Sequence, residues 1–450
     1  MIKRYDNHAV TRSLLALISA MCLTMANAAF GAEKLNANDV SWLFPMPQAA
    51  ADLGKVMAIE TLKADDGKLL WPQEAFDEFL AIADSAEAEV PGGPRIKLPP
   101  EVRKISAWKI AGVRFDGSAP GAAPGIIEKF GSDPQIRIIL QPVTEAGGKL
   151  NVHDIAAHLV FNFSTSKDVG PGNLATAIPD KPAFQEIVDG LAKVKATAKG
   201  LGAVTADQKL GVHPGLASAA SAAAVLAEMN ALLVKNVPKG RLRAMAIMGL
   251  ANEQEPWIFL AIIPDAKRPG KFMPAPGFNM PSPTNTAQAL SMIASKVLPT
   301  PVTNNLNPIT NQFIVPIAAR RGVSTATLFT GADLDAPAIP GDPAVTNRDI
   351  PDIVADPGRA HFFNTDCVSC HTETTRAKVL KIKPGKFAFK PPADFRGVED
   401  AVTPKDDWNL RNFGWGPPSE RHATVTQRAA NETAEAVEFI NQNYLGGTAP

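Results

Sequence analysis

Apolar and polar residues alternate over two stretches in the first half of the chain. Ile136, Ile138 and Leu140 fall on one side, and Leu159, Phe161 and Phe163 repeat the pattern. A period of two predicts two half-buried strands. Leu242 to Leu250 and Trp257 to Ile263 are apolar runs split by Ala251-Asn-Glu-Gln-Glu-Pro256, which predicts an antiparallel hairpin. Phe313 to Ala319 is a further strand candidate, and Pro316 assigns it to a sheet edge because proline cannot donate to a ladder. Elsewhere the period is helical. Phe184, Ile187, Val188, Leu191 and Val194 share one face behind the cap Asp180. His213 to Val237 is alanine-rich and apolar nearly all round, which predicts a buried helix, and Thr284 to Val297 is a third. Near the end, Ala430, Ala434, Val437, Ile440 and Tyr444 form one stripe along a helix over 425–444, stopped by Gly446-Gly447.

Punctuation divides these elements. Asp333 to Gly358 carries Pro337, Pro340, Pro343, Pro351 and Pro357 with no sustained apolar period, the pattern of an extended linker. It separates an α+β region over 29–332 from a shorter one over 359–450. Residues 1–28 have the layout of a secretory signal peptide: Lys3, Arg4 and Arg12, an apolar stretch from Leu14 to Met25, then Ala26-Asn27-Ala28 as cleavage site. The apolar stretch is shorter than the ~20 residues of a membrane span. The expected product is a periplasmic chain beginning near Ala29, with no membrane span after signal cleavage. The formal charge is zero, so nothing points to nucleic acid as a partner.

Candidate chemistry concentrates in Cys367-Val-Ser-Cys370-His371. The chain has three cysteines, and the third, Cys22, lies in the N-terminal apolar stretch. A structural zinc site needs about four protein ligands, and no second pair stands nearby. A thioredoxin-like motif belongs in a βαβ context, which the flanks lack. The C-x-x-C-H spacing therefore predicts one covalent haem c. Both thiols reach the porphyrin edge from one helical turn, and His371 becomes the proximal iron ligand.

With this motif, Phe363 one turn before it, Pro384 after it and a closing helix, the last stretch resembles class I c-type cytochromes over about a quarter of the chain. The resemblance implies a small all-α cytochrome c-like domain over 359–450. It implies that a helix runs from about Asp356 through the motif, that Phe363 packs on the haem, and that a carbonyl near Pro384 orients His371. The family's glycine one turn before the aromatic is Arg359 here, with Gly358 one residue off. The family usually supplies a distal methionine, but no methionine follows Met292. His422, in Pro417-Pro418-Ser-Glu-Arg421-His422, is the favoured distal ligand. An open sixth position, or an upstream ligand such as Met273 or Met280, stands beside it. Trp408, Phe413 and Trp415 are candidates to line the haem, and Arg411 is either a propionate partner or a surface cation.

Arg376, Lys378, Lys381, Lys383, Lys386, Lys390 and Arg396 form a basic run interrupted by Asp394. It reads either as a dock for an acidic redox partner protein or as a solvated loop. His153, His158 and Asp154 read either as a loose metal site or as ordinary hydrogen-bonded side chains. Two function classes lead. One is single-electron transfer by an exported c-type cytochrome. The other is a periplasmic haem-dependent oxidoreductase, oxidising a substrate or reducing a peroxide, with the N-terminal region as substrate domain. A haem-based sensor is third. Di-haem peroxidases need two attachment motifs, and this chain has one. Whether the chain is an enzyme stays open at this stage.

Overall fold

Period-two segments form the centre of one antiparallel sheet. The computed structural model describes residues 33–64, 66–85, 98–118, 133–164, 178–203, 208–239, 241–250, 257–265, 267–274, 313–314, 334–339, 342–360, 367–405, 411–416 and 420–446. Residues 1–28, the helix expected over 284–297, and His361, Phe363, Met280 and Trp408 lie outside these.

The sheet comprises β1 (Ser41–Leu43), β2 (Trp108–Asp116), β3 (Gln135–Ala146), β4 (Lys149–Val152), β5 (Ile155–Asn162), β6 (Arg241–Leu250), β7 (Trp257–Pro264), β8 (Phe272–Pro274) and β9 (Phe313–Ile314). Among the described residues the order is β1-β2-β3-β5-β6-β7-β8, with β4 on β3 and β9 on β7. Gly147 and Gly148, at φ +58° and +76°, make the tight turn between β3 and β4. β6 and β7 pair as the expected hairpin, with Met245 opposite Ile262 and Leu250 opposite Trp257.

Among the described residues, four α-helices belong to this first part: α1 (Ala37–Val40), α2 (Gln73–Ser85), α3 (Lys181–Gly200) and α4 (Ala219–Asn236). Asp180 caps α3 by accepting from the Ala183 amide at 3.1 Å. One face of the sheet, with Val113, Phe115, Ile136, Ile138, Leu140, Leu159, Phe161, Met245 and Ile247, lies in one core with Phe184, Leu191, Val225 and Leu233 of α3 and α4. Trp71, Phe76, Phe79 and Trp108 close the α2 end with edge-to-face contacts.

The expectation of an α+β region followed by a small all-α cytochrome c-like domain is overturned. The last part contains β10 (Pro337–Ile339) paired with β11 (Asp342–Thr346), α5 (Ile350–Ala355), α6 (Cys367–Val379), β12 (Phe413–Trp415) paired with β13 (Ala423–Val425), and α7 (Gln427–Ile440). The stretch 333–358, read as an extended linker, therefore holds a hairpin and a helix. No separate bundle forms because α7 buries its stripe in the sheet's own core, which continues through Trp415, Val425, Ala430, Val437 and Ile440. Polar contacts fix this docking. Thr433 meets Ser41 at 2.9 Å, and Asn441 exchanges two 2.9 Å bonds with the backbone of Leu35. The helix expected from about Asp356 also differs, because α6 begins at Cys367 after a turn over 357–359.

Glycine lets β12 lie on the sheet. A Cβ on Gly112 would sit 2.6 Å from the Phe413 ring, and Gly414, at φ +142°, packs over Gln141 and Ile139. Gly112→Val should cost about 1–3 kcal/mol through overpacking. Gly54→Ala, where a Cβ meets nothing within 4 Å, is the control, and urea midpoints of the two variants are the measurement.

Candidate functional site

The second face of the sheet differs from the first. Register places Gly112, Ile139, His158, Ala246 and Ala261 in one lateral row across five strands. The adjacent row is Arg114, Arg137, Val160 and Ala244. Central strands usually carry branched or aromatic residues. Here His158 has Ala156 and Ala246 beside it as well as Ile139 and Val160, and Ala244, Ala246 and Ala261 stay partly exposed. The β2–β3 half of this face is covered by β12 and α7. The Trp415 amide donates to Gln141 Oε1 at 2.7 Å, and Arg114 pairs with Glu432 at 2.9 Å.

Helix α6 is held by the first turn of α7. Glu373 Oε1 accepts from the Arg428 amide at 3.0 Å, and Thr374 Oγ1 accepts from the Gln427 amide at 2.6 Å. The Arg428 guanidinium donates to the carbonyls of Val354, Asp356 and Ala360 and to Glu432. It thereby ties α5 and the turn after it to α7. Cys367 opens α6, and Cys370 and His371, half-buried, follow one turn on. Arg428 is an electrostatic neighbour of Cys370, and His371 is one of His158.

These groups form one charged cluster inside the molecule. Burial alone would raise Glu432, but Arg114, Arg428 and Arg137 outweigh it and hold the carboxyl at about 2. Arg411, 3 % exposed, pairs with Asp154 at 2.6 Å. Burial pulls the Arg137 pKa down, and the charge of Arg114 opposite it adds to the effect. Four arginines thus converge on two ion-paired carboxylates, Glu432 and Asp154. Burial raises Asp116 to about 7 and Glu435 to about 8, so near neutrality Asp116 is about half ionised and Glu435 mostly protonated. Burial, then Arg137, Arg411, His371 and Arg114, drive the His158 pKa well below the ordinary imidazole value. His158 is therefore neutral, the form that ligates metals.

The expected site residues do not all meet here. His422 Nε2 donates to the Thr403 carbonyl at 3.2 Å, which leaves its lone pair on Nδ1, 3.2 Å from Glu420 Oε2. That second contact is not aligned as a hydrogen bond. Burial and the cations Lys405 and Lys378 lower the ring's pKa, so it is no ion pair either. Phe413 and Trp415 are buried, Trp415 with its indole on the Phe44 carbonyl at 3.0 Å. Arg411 is a buried cation of the cluster. Met273 lies in β8, opposite Ile263.

His153 bonds Thr144 at 2.8 Å. His213 is buried, accepts from the Gly215 amide at 3.1 Å, and is held by burial at about 4. Among the described residues, no group of three His, Cys, Asp or Glu side chains has the placement to hold a metal ion. Sequence reasoning named His158 only as part of a metal set, and it missed Arg114 and Arg137. Their signal was there: each interrupts an apolar strand at a position that alternation assigns to the second face.

The raised carboxyls give a pH dependence. Asp116 and Glu435 have folded pKa values above their unfolded ones, 3.8 and 4.5. Their protonated forms stabilise the fold fully below the unfolded values, and that stability is lost as pH rises through about 7 and about 8. Glu435→Gln should remove the upper part of this fall, up to about 1.4 kcal/mol per pH unit for one proton. Urea midpoints measured on both sides of neutrality check it.

No helix among the described residues is long and apolar enough to cross a membrane. Compared with known proteins, the chain matches no family model, no curated protein and no solved structure.

Proposed function

We propose that this chain is an exported c-type cytochrome. It holds one haem through Cys367 and Cys370, with His371 as an iron ligand, and serves single-electron transfer. One observation carries the reading. Cys370 and His371, on one helix, are electrostatic neighbours of Arg428 and His158, in a buried cluster where Arg114, Arg428 and Arg137 share Glu432. A haem brings two propionates, and these arginines suit them. Arg137 is buried with the like charge of Arg114 opposite it, so a carboxylate at this place has a physical reason to bind.

When bound, haem c supplies one-electron oxidation and reduction at iron. The chain's own residues do the rest. Arg428, through α5 and Glu432, fixes the angle of α6. Arg137 and Arg114 offer donors to carboxylates. Burial sets a low dielectric around the cluster. The loop after α6 exposes Lys381, Lys383, Lys386, Lys390 and Arg396. Some of these line a cleft of about 620 Å³ between α5, α6 and the loop. A solvent-facing cationic rim of this kind steers an acidic redox partner protein. The leader features of residues 1–28 support export, which c-type haem attachment requires in bacteria.

A redox titration followed in the visible spectrum tests the function. The expected result is a single reversible one-electron transition, with reduction by an acidic partner protein slowing steeply as salt rises. An iron that cycles only while turning over a peroxide or another substrate would contradict electron transfer as the role.

A further inference from the structure

We infer that the cleft between α5, α6 and the loop after α6 binds a hydroxylated aromatic carboxylate, with the carboxylate on Lys381 and Lys383 and the hydroxyl on Glu373. This goes beyond the electron-transfer reading and does not depend on it, because neither Cys370 nor His371 lines the cleft.

The cleft measures about 620 Å³. Small-molecule sites usually run to about 300–1,000 Å³. Ala355, Ile382, Pro384, Phe389 and Phe395 supply apolar and aromatic walls, which suit a flat ring. Glu373 also lines it and is 1 % exposed. Its Oε1 accepts from the Arg428 amide and the Thr374 hydroxyl, while Oε2 has no hydrogen-bond partner among the described residues. A buried polar atom left unmet is costly, so a donor arriving through the cleft is favoured. Burial raises the Glu373 pKa, and a neutral hydroxyl therefore suits it better than an ammonium. The other polar groups of the lining are already engaged. Asp352 accepts from the Gly385 amide at 2.6 Å, and Gln427 donates to Asn431 at 2.8 Å.

The basic run divides at this cleft. Lys378, Lys381 and Lys383 line it, and Lys386, Lys390 and Arg396 do not. Lys378 Nζ donates to the Pro404 carbonyl at 3.3 Å, whereas no carboxylate pairs with Lys381 or Lys383 among the described residues. Lys381 stands at a backbone cost. The Ile382 amide donates to the Ala377 carbonyl at 2.8 Å and the Lys381 amide to the Lys378 carbonyl at 3.1 Å, which closes α6 in a Schellman motif. Lys381 takes the left-handed position of that motif, at φ +54°. Glycine is usual there, and a side chain is strained. A lysine standing where glycine is more stable points to a use for its ammonium. The helix dipole also favours a cation at this end, and the test separates the two roles. Glu373 and Lys381 are about two helical turns apart, roughly 12 Å along the axis, a span that a ring with oxygens at both ends bridges with the lysine stem.

The test uses the full chain as wild type and Lys381→Gly. Isothermal titration calorimetry is run with 4-hydroxycinnamate, with its methyl ester, which lacks the charge, and with cinnamate, which lacks the hydroxyl. Urea unfolding is recorded for both chains. Wild type should bind 4-hydroxycinnamate at one site, and the ester and cinnamate each about tenfold more weakly. Lys381→Gly should raise the urea midpoint, because it relieves the strained backbone, and should weaken the acid about tenfold while leaving the ester unchanged. A raised midpoint with undiminished affinity would make Lys381 a helix terminator only and overturns the inference. Absence of saturable binding by wild type, or an ester or cinnamate that binds as well as the acid, overturns it too. None of these results touches haem attachment, which the mass of the denatured chain reads separately.

Discussion

On the haem reading proposed above, replacing both Cys367 and Cys370 by alanine should abolish covalent haem while leaving export unchanged. The contrast should be all or none, because the chain has no other cysteine pair: the third, Cys22, sits within the N-terminal apolar stretch. Either single variant keeps one thiol and at most one thioether. The double variant also loses stability. Among the described residues Glu432 pairs with Arg114 and Arg428, and Asp154 pairs with Arg411; the proposed propionates would add to these. An uncompensated buried charge costs about 3–5 kcal/mol. A haem stain on a denaturing gel reads the first effect, and urea unfolding reads the second. Haem that stays with the denatured double variant would contradict attachment through these thiols.

Arg428→Ala should be the most damaging single change away from the cysteines, at about 3–5 kcal/mol. The residue is 3 % exposed, and its side chain donates to three carbonyls and to Glu432. Its removal takes a donor from the buried carbonyls of Val354 and Ala360, and it leaves the buried Glu432 carboxylate with fewer cations. Arg428→Lys should recover little. One ammonium cannot reproduce a planar fork that serves Val354, Asp356 and Ala360 at once. Both variants should also loosen α6, so the haem environment should shift along with the urea midpoint. A variant with wild-type stability would mean that the α5–α7 junction is held by something else.

How much of this was readable beforehand depended on the length of each pattern. β3, β5, β6 and β7 run for eight to twelve residues, long enough for alternation or an apolar run to declare a strand. β12 and β13 have three residues each, too few for any period. Their pairing, with α7 beneath, is what joins the end of the chain to the sheet. The α7 stripe was correctly placed on one face, but a stripe does not say which surface it meets. Polar residues gave the better clue. Arg428, Asn431 and Thr433 are buried on α7 as well, which a helix on the outside of a small bundle would not need.

The candidate site divides the same way. Cys367, Cys370 and His371 are adjacent in sequence, so their spacing announces them. The cluster around them is assembled from β2, β3, β5, the segment before β12, and α7, and only register brings Arg114, Arg137 and His158 together. His422 drew attention because it precedes the last helix, where a distal ligand arrives in the resembled family. In this fold that loop turns toward Thr403 instead.

The most direct measurement of the central claim is the intact mass of the exported chain, taken under denaturing conditions that strip any non-covalent cofactor. The account predicts the mature polypeptide plus one haem, with the added mass located on the peptide carrying Cys367 and Cys370. A bare polypeptide mass from a host competent in c-type haem attachment would contradict it.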